Sequence, residues 1–398
     1  MWQRYHMQYF SKKTAWQRTL TPLSVACAER IGQEESILDL TCANPTLQGF
    51  VYSPDVLRTF WEQGASYHPQ ALGVPEARLA VSAYFCQQGG NVQAEEVWIG
   101  SGTSELYGHT MAILCDPGDC WLVPQPGYPL FDYVADLAGV RLAHYPLAWD
   151  GAWYVDADAL EAASDASNAR ALVVISPHNP TGHVWTDAER KVVIDCCKRH
   201  DMALVVDEVF WDFPVDLERA SASCAGCEDV LTICLSGASK VAAFPQGKIA
   251  WAAVSGPGAD EFLARAELVS DTFLSTSTVM QAGLPNLLQA AIPMQKRIRA
   301  RCRENVSTAR QIFEKTPVSV CPVPAGWSML LRFPQTQDDA TWSIAALEKY
   351  GVLTHPGYLF GMEGLSSNPF VSVSLLLEPD LFREGMERLV WLVDGAIC

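Results

Sequence analysis

Lys240 is the side chain of this sequence best placed to act as a nucleophilic amine. It follows an apolar, strand-like run, Val230–Leu235, in the segment Ser236-Gly237-Ala238-Ser239-Lys240, and a second cation, Lys248, comes eight residues later. Small residues at 236–239 allow a tight turn that projects the lysine. An ammonium held among small and apolar neighbours is driven toward its neutral form, the form that makes Schiff bases with carbonyl compounds. Alone, Lys240 would read as an ordinary solvated lysine. Three other stretches change that. The run Ala203–Val206 ends in Asp207-Glu208, and an Asp closing an apolar strand calls for a cationic partner. Asn179 lies in Ser176-Pro-His-Asn-Pro-Thr-Gly182, where prolines fix the backbone and aim its amide at one ligand oxygen. Ser101-Gly102-Thr103-Ser104 joins a strand to a helix, where free amides and hydroxyls make an anion cup. Tyr128, in Pro126-Gly-Tyr-Pro129, presents a ring at another such turn, or else packs in the core.

These residues all fall where apolar runs give way to helical patterns. The expected strands are 96–100, 120–123, 141–145, 171–175, 203–207, 230–235 and 249–254. The expected helices are 74–88, 104–115, 129–138, 187–200 and 260–269. This alternation predicts an α/β fold with a mostly parallel seven-stranded sheet, its ligands gathered at the carboxyl ends of the strands. Pro293 to Thr316 reads as a helix linking to a smaller α+β lobe with strands near 326–332 and 370–377 and a final helix from Pro379. The chain divides accordingly into an N-terminal arm and part of the small domain (1–50), a large domain (51–292), and a linking helix with the C-terminal small domain (293–398). The arm, with a helix near Pro22–Ile31, is expected to pack on that lobe.

The 398 residues carry 28 Lys and Arg against 45 Asp and Glu, a formal net charge of −17. That sign argues against nucleic acid or an anionic membrane as the main partner. No apolar run has the length of a membrane span, and no signal-peptide core is visible. The 13 cysteines follow no disulfide framework. Cys224-Ala-Gly-Cys227 is a lone CxxC, a weak zinc signal that reads rather as loop cysteines, so no metal site is expected. The reading is a cytoplasmic protein.

Order and spacing of these motifs resemble the fold-type I pyridoxal-phosphate enzymes, specifically the class I/II aminotransferases, from the Asn44-Pro-Thr46 turn to the last helix. The most specific pieces are xNPTG at 176–182, Asp207-Glu208-Val209, and Ser239-Lys240 with Pro245, Lys248 and Trp251. The resemblance implies an aspartate-aminotransferase-like fold with pyridoxal 5′-phosphate as cofactor. Lys240 would carry it as a Schiff base and shuttle protons, and Asp207 would hold the ring nitrogen protonated. Tyr128 would stack on the ring, and Asn179 would donate to its phenolic oxygen. Gly102, Thr103, Ser104, Ser239 and Lys248, with Ser236 as a further candidate, would cradle the phosphate. Tyr67 would reach the phosphate of a neighbouring subunit, giving a homodimer with shared active sites. Ser275 and Thr276 match more loosely. Ala43, Asn44, Asn179, Arg332 and Tyr358 are the expected substrate contacts.

Four departures from that pattern bear on the substrate and the cofactor. Lys248 replaces a phosphate-binding arginine, Gly237 a serine, and Phe210 a tyrosine. Ser372 stands where an arginine would clamp the substrate carboxylate, a pair worth about 2–5 kcal/mol. Arg332 is a candidate replacement, or an ordinary strand-end arginine. Trp327, Tyr358 and Phe360 suggest an apolar site or simply core. The leading expectation is a transaminase moving an amino group between an amino acid and a 2-oxo acid. A lyase or cyclase would use the same residues, while a cofactor-binding regulator would be expected to carry a basic DNA-binding extension.

Overall fold

A computed structural model describes residues 9–63, 66–67, 69–218, 221–274, 276–363 and 368–397. The chain enters through helix α1 (Pro22–Gly32), capped by the Thr21 hydroxyl, and a two-residue strand β1 (Leu38–Asp39). Helices α2 (Pro54–Gln63) and α3 (Pro75–Gln87) follow, each opened by a proline, whose fixed φ suits the first turn. The large sheet then builds up in alternation with helices: β2 (Val97–Gly100), α4 (Thr103–Leu114), β3 (Cys120–Gln125), α5 (Leu130–Ala138), β4 (Arg141–Trp149) and β5 (Trp153–Val155). It continues with α6 (Ala157–Ser167), β6 (Ala171–Ile175), α7 (Asp187–His200), β7 (Ala203–Asp207), β8 (Thr232–Gly237), the single turn α8 (Ala238–Val241) and β9 (Ala250–Ser255).

The spatial order is β2-β9-β8-β7-β6-β3-β4-β5. The five strands from β8 to β4 run parallel, β9 is antiparallel to both of its neighbours, and β5 forms a hairpin with the end of β4. The sheet is thus mixed and mostly parallel, with the short β5 as an eighth strand beyond the seven expected. Every residue of β6 and β7 is buried, because helices cover both faces of a parallel sheet and each side chain must be apolar whichever way it points. On one face α4, α5 and α9 (Ala259–Phe273) pack on Ala203, Val205, Ile233 and Leu235; on the other α3, α6 and α7 pack on Leu204, Val206 and Cys234.

Helix α10 (Thr278–Phe313) is 36 residues long and runs straight through Pro285 and Pro293. The sequence reading takes Pro293 as a helix start, but α10 begins 15 residues earlier. Its buried face, from Leu284 and Leu287 to Val306 and Ala309, is continuous across both prolines. Tertiary burial outweighs the bonds the prolines remove.

After α10 come β10 (Ser319–Val320), β11 (Ser328–Arg332), α11 (Asp339–Tyr350), β12 (Val352–Leu353), β13 (His355–Pro356), β14 (Phe370–Ser374) and α12 (Pro379–Ile397). β10, β11, β14 and β13 form a four-stranded antiparallel sheet, and β1 pairs in parallel with β12. Leu23 and Ala26 of α1 pack on Leu347 of α11. A second core joins Leu40 and Phe50 to Trp327, Val371, Val373 and Phe382.

Register carries the functional ends into one place. Ile175 lies opposite Asp207, Asp207 opposite Leu235, and Gly237 opposite Ala250, which in turn faces Gly100. The loops after β2, β6, β7 and β8 therefore leave the sheet along one edge.

Candidate active site

At that edge lies a cavity of about 290 Å³ lined by Lys240, Asp207, Tyr107, Asn179, Phe210 and Trp327, among others. Thr103, Ser104, Tyr128, Ser239 and Ala43 also reach its wall. Side chains alternate along a strand, so Asp207 falls on the same face as Ala203 and Val205, the face covered by α4. There Tyr107 of α4 donates its hydroxyl to Asp207 Oδ2 at 2.9 Å, and the Val209 amide donates to Oδ1 at 3.0 Å. Burial raises the Asp207 pKa, and the two hydrogen bonds and the Lys240 charge oppose that rise. Lys240 is likewise enclosed. Its Nζ lies 5.1 Å from the Trp327 ring centre and 5.5 Å from that of Phe210. Burial lowers its pKa, with Asp207 pulling the other way. Among the described residues no ion pair within 4 Å links the two. A buried amine and a buried carboxylate thus share a cavity, each feeling the other's charge, without a direct ion pair between them.

The anion cup forms at the first turn of α4. The Glu105 carboxylate accepts from the Ser101 amide at 2.7 Å, fixing the entry to the helix. A Cβ built on Gly102 would stand 3.7 Å from Lys248 Nζ, so the lysine is held over the glycine. Lys248 itself adopts a left-handed backbone, φ 49°, a conformation sparsely populated without glycine. Asn179 Oδ1 accepts from the Ser328 hydroxyl at 3.2 Å, which leaves its NH2 group to donate elsewhere. Gly182 closes the same loop at φ +69°, and a Cβ there would meet Ala325 O at 2.9 Å. The motif glycine is thus required twice over, by conformation and by space.

Four expected positions lie elsewhere. Ser236 is even-numbered on β8 like Cys234, so it faces away from the cavity and sits beside Tyr84. Arg332 begins four residues beyond the cavity-lining Ser328, about 13 Å along β11, and its guanidinium donates to Ser319 Oγ at 3.2 Å. Asn44 turns inward on its own loop, its Oδ1 accepting from the Thr46 amide at 3.0 Å. Tyr358 does not line the cavity; its backbone amide donates to Asp339 Oδ2 at 2.6 Å. Tyr67 is exposed and away from the cavity of its own chain, and Ser275 lies outside the described residues. Ser372 is buried on β14 opposite Leu330 and His355. Among the described residues lining the cavity there is no arginine.

Sequence reasoning missed Tyr107 and Ser328. Tyr107 was within reach of it, since it stands four residues after Thr103 and therefore on the same helical face as the cup. Ser328 gave no local signal, because only the packing of β11 on the Asn179 loop brings it there.

Residues 53–388 match the model of the family described as aminotransferase class I and II. The glutamate-pyruvate aminotransferase AlaA of Escherichia coli K12 is 27% identical over 319 residues, covering 77% of each chain. The alanine aminotransferase of Mycobacterium tuberculosis H37Rv is 30% identical over 241 residues, 59% of this chain and 56% of that one. In architecture, the alanine aminotransferase of Pyrococcus furiosus superposes with a TM-score of 0.86 at 18% identity, covering 97% of this chain and 100% of its own. The chain belongs to the aminotransferase class I and II family, and it is a transaminase of fold type I.

Proposed function

We propose that the cavity holds pyridoxal 5′-phosphate joined to Lys240 Nζ, and that the enzyme moves an amino group between an amino acid and a 2-oxo acid. The observation that carries this reading is the pair of buried groups, Lys240 and Asp207, that line one cavity without a direct ion pair between them. When bound, the cofactor supplies a sink for the electron pair left on the substrate α-carbon. The chain supplies the rest. Asp207 holds a proton on the ring nitrogen, and that positive N–H removes the penalty of its burial. Tyr107 keeps the carboxylate aimed. Lys240 Nζ, which would hold the cofactor, would also take up the proton that leaves the substrate α-carbon. Burial lowers its pKa, which favours the neutral amine that such a base requires. Asn179, oriented by Ser328, donates its NH2 to the ring oxygen, and Tyr128 covers the ring. Gly102, Thr103, Ser104, Ser239 and Lys248 receive the phosphate. Ser236 and Arg332 are left out of this set by their positions.

The names of the relatives make glutamate with pyruvate the first pair to assay. The absence of an arginine on the described cavity wall favours an apolar contribution to substrate binding, with Trp327 and Phe210 as its surfaces. The reading includes a homodimer in which Tyr67 serves the partner's site, and a reducing cytosolic setting supported by the free cysteines. Borohydride reduction followed by peptide mapping should place the cofactor on Lys240. Lys240→Ala should lower the transamination rate by at least about 10²–10⁴-fold. Retention of the parent rate would remove the central assignment. Ammonia release from an amino acid alone, with no second substrate, would instead mark a lyase.

A further inference from the structure

On the outer layer of the large sheet, α6 and α7 bring together side chains that the active site does not use. Cys196 and His200 are four residues apart and share one face of α7; Glu161 and Asp165 have the same spacing on α6. The two faces meet. His200 Nε2 is 2.9 Å from Glu161 Oε1 and 3.9 Å from Asp165 Oδ1. One ligand atom from each of Glu161, Cys196 and His200 lies within 4.8 Å of the other two.

We propose that Cys196, His200 and Glu161, completed by Asp165, form a binding site for a divalent ion of borderline softness, with zinc the best match. A thiolate, an imidazole and carboxylate oxygens are the donor types zinc takes in a tetrahedral shell, and bonds of about 2.0–2.3 Å place those donors roughly 3.5 Å apart. Glu161, Cys196 and His200 already hold donor atoms within 4.8 Å of one another, and Asp165 Oδ1 lies 3.9 Å from His200 Nε2. The sulfur excludes magnesium and calcium, which prefer oxygen alone. Cys196 is buried, so its sulfur forms the floor, while the part-buried His200 and the exposed Asp165 open the site to solvent.

One group competes. Arg199 holds the Glu161 carboxylate through Nε at 3.2 Å and through NH2. That guanidinium is more than half exposed, so the pair is weak and an ion can displace it. The plainer account is an ion-pair network, His200–Glu161–Arg199, that merely ties two helices together. Cys196 belongs to that network too, its Sγ meeting Ser164 Oγ at 3.2 Å and lying within reach of the Glu161 carboxylate, so added metal is what tells the two accounts apart.

The two accounts separate on titration of tag-free holoenzyme with zinc, under a phosphine reductant and without chelator. The expected result is one zinc per chain, an affinity at least about 100-fold weaker in His200→Gln, and a tighter affinity in Arg199→Ala, which removes the competitor. Cobalt should give tetrahedral visible bands and a thiolate charge-transfer band, the latter absent in Cys196→Ser. Zinc should raise the melting temperature of the parent and not that of His200→Gln. Should Cys196→Ser fail to fold, the variants at 199 and 200, both at accessible positions, carry the test. No zinc bound by the parent, equal affinity in His200→Gln, or weaker binding in Arg199→Ala would each overturn the site.

Discussion

At the end of β7 two carboxylates follow one another, and the sheet separates them. Asp207 takes the α4 face and looks into the cavity. Glu208 takes the opposite face, where its Oε2 accepts from the Ser223 hydroxyl at 2.5 Å and its Oε1 from the Cys224 amide at 2.7 Å. Both are buried, and burial raises both pKa values. The difference lies in what their partners leave over. Glu208 spends its oxygens pinning the 223–224 loop, and the Arg190 charge helps keep it ionised. Asp207 has one hydroxyl and one amide, with Lys240 beyond, and an open volume between. A buried carboxylate whose hydrogen bonds close on its own loop is structural. One facing a cavity beside a lowered amine is poised for a charged ligand.

The comparison breaks if the two residues respond alike to substitution. Asp207→Asn keeps the shape and removes the charge. It should lower kcat by about 10²–10³-fold and leave the melting temperature of the apoenzyme unchanged or higher, since an unfavourably buried charge is gone. Glu208→Gln should do the reverse. Replacing a charge-assisted acceptor costs about 1–3 kcal/mol of stability, measured by denaturant unfolding, with kcat within about twofold of the parent. Equal kinetic losses in both variants would show that the face a side chain takes does not decide its role. Tyr107→Phe sharpens the contrast, because it removes one donor from Asp207 alone. A loss of about 1 kcal/mol of orientation corresponds to roughly a fivefold fall in kcat, with KM little changed.

A smaller effect concerns His178, which precedes Asn179. It is buried, its Nδ1 lies 2.8 Å from Thr181 Oγ1, and burial pushes its pKa down to about 3. The unfolded chain takes up a proton near pH 6.5, which the folded chain refuses until about pH 3. The unfolded state binds more protons in that window, so the stability His178 contributes is complete above about pH 6.5 and is lost as pH falls toward 3, with a slope of up to about 1.4 kcal/mol per unit. Asp212, its pKa raised to about 6, works in the opposite sense between its unfolded value and 6. The difference between parent and His178→Asn isolates the histidine. The stability of the parent relative to the variant should fall as pH drops from about 6.5 toward 3, read by urea unfolding of both proteins at a series of pH values.

The strands were the most legible part of the fold. β6 and β7 run over the residues the apolar runs mark, since a strand buried on both faces has no polar interruption to blur its ends. Helices α2, α6 and α11 were missed. α6, rich in Ala, Ser and Asp, buries only Leu160, Ser164 and Ser167 and so carries little apolar periodicity. β4 extends to Trp149 because it pairs with β5, a hairpin contact that no single strand announces. In the site, Lys240, Asp207, Asn179 and the cup residues could be named from their types and surroundings. Ser236 could not be placed, because one residue of register separates the cavity face from the opposite one.

The order of the motifs, an amine after one apolar strand, a carboxylate after another and an amide between prolines after a third, is written in the chain itself. It suffices to name the chemistry, because strand ends in an open sheet converge whatever the connecting helices contain. Tertiary packing decided which neighbours complete the set. It brought Tyr107 and Ser328 in, carried Arg332 some 13 Å away along its strand and turned Ser236 to the other face. Those outcomes depend on register and on contacts between segments 100 and 149 residues apart, which local pattern does not encode.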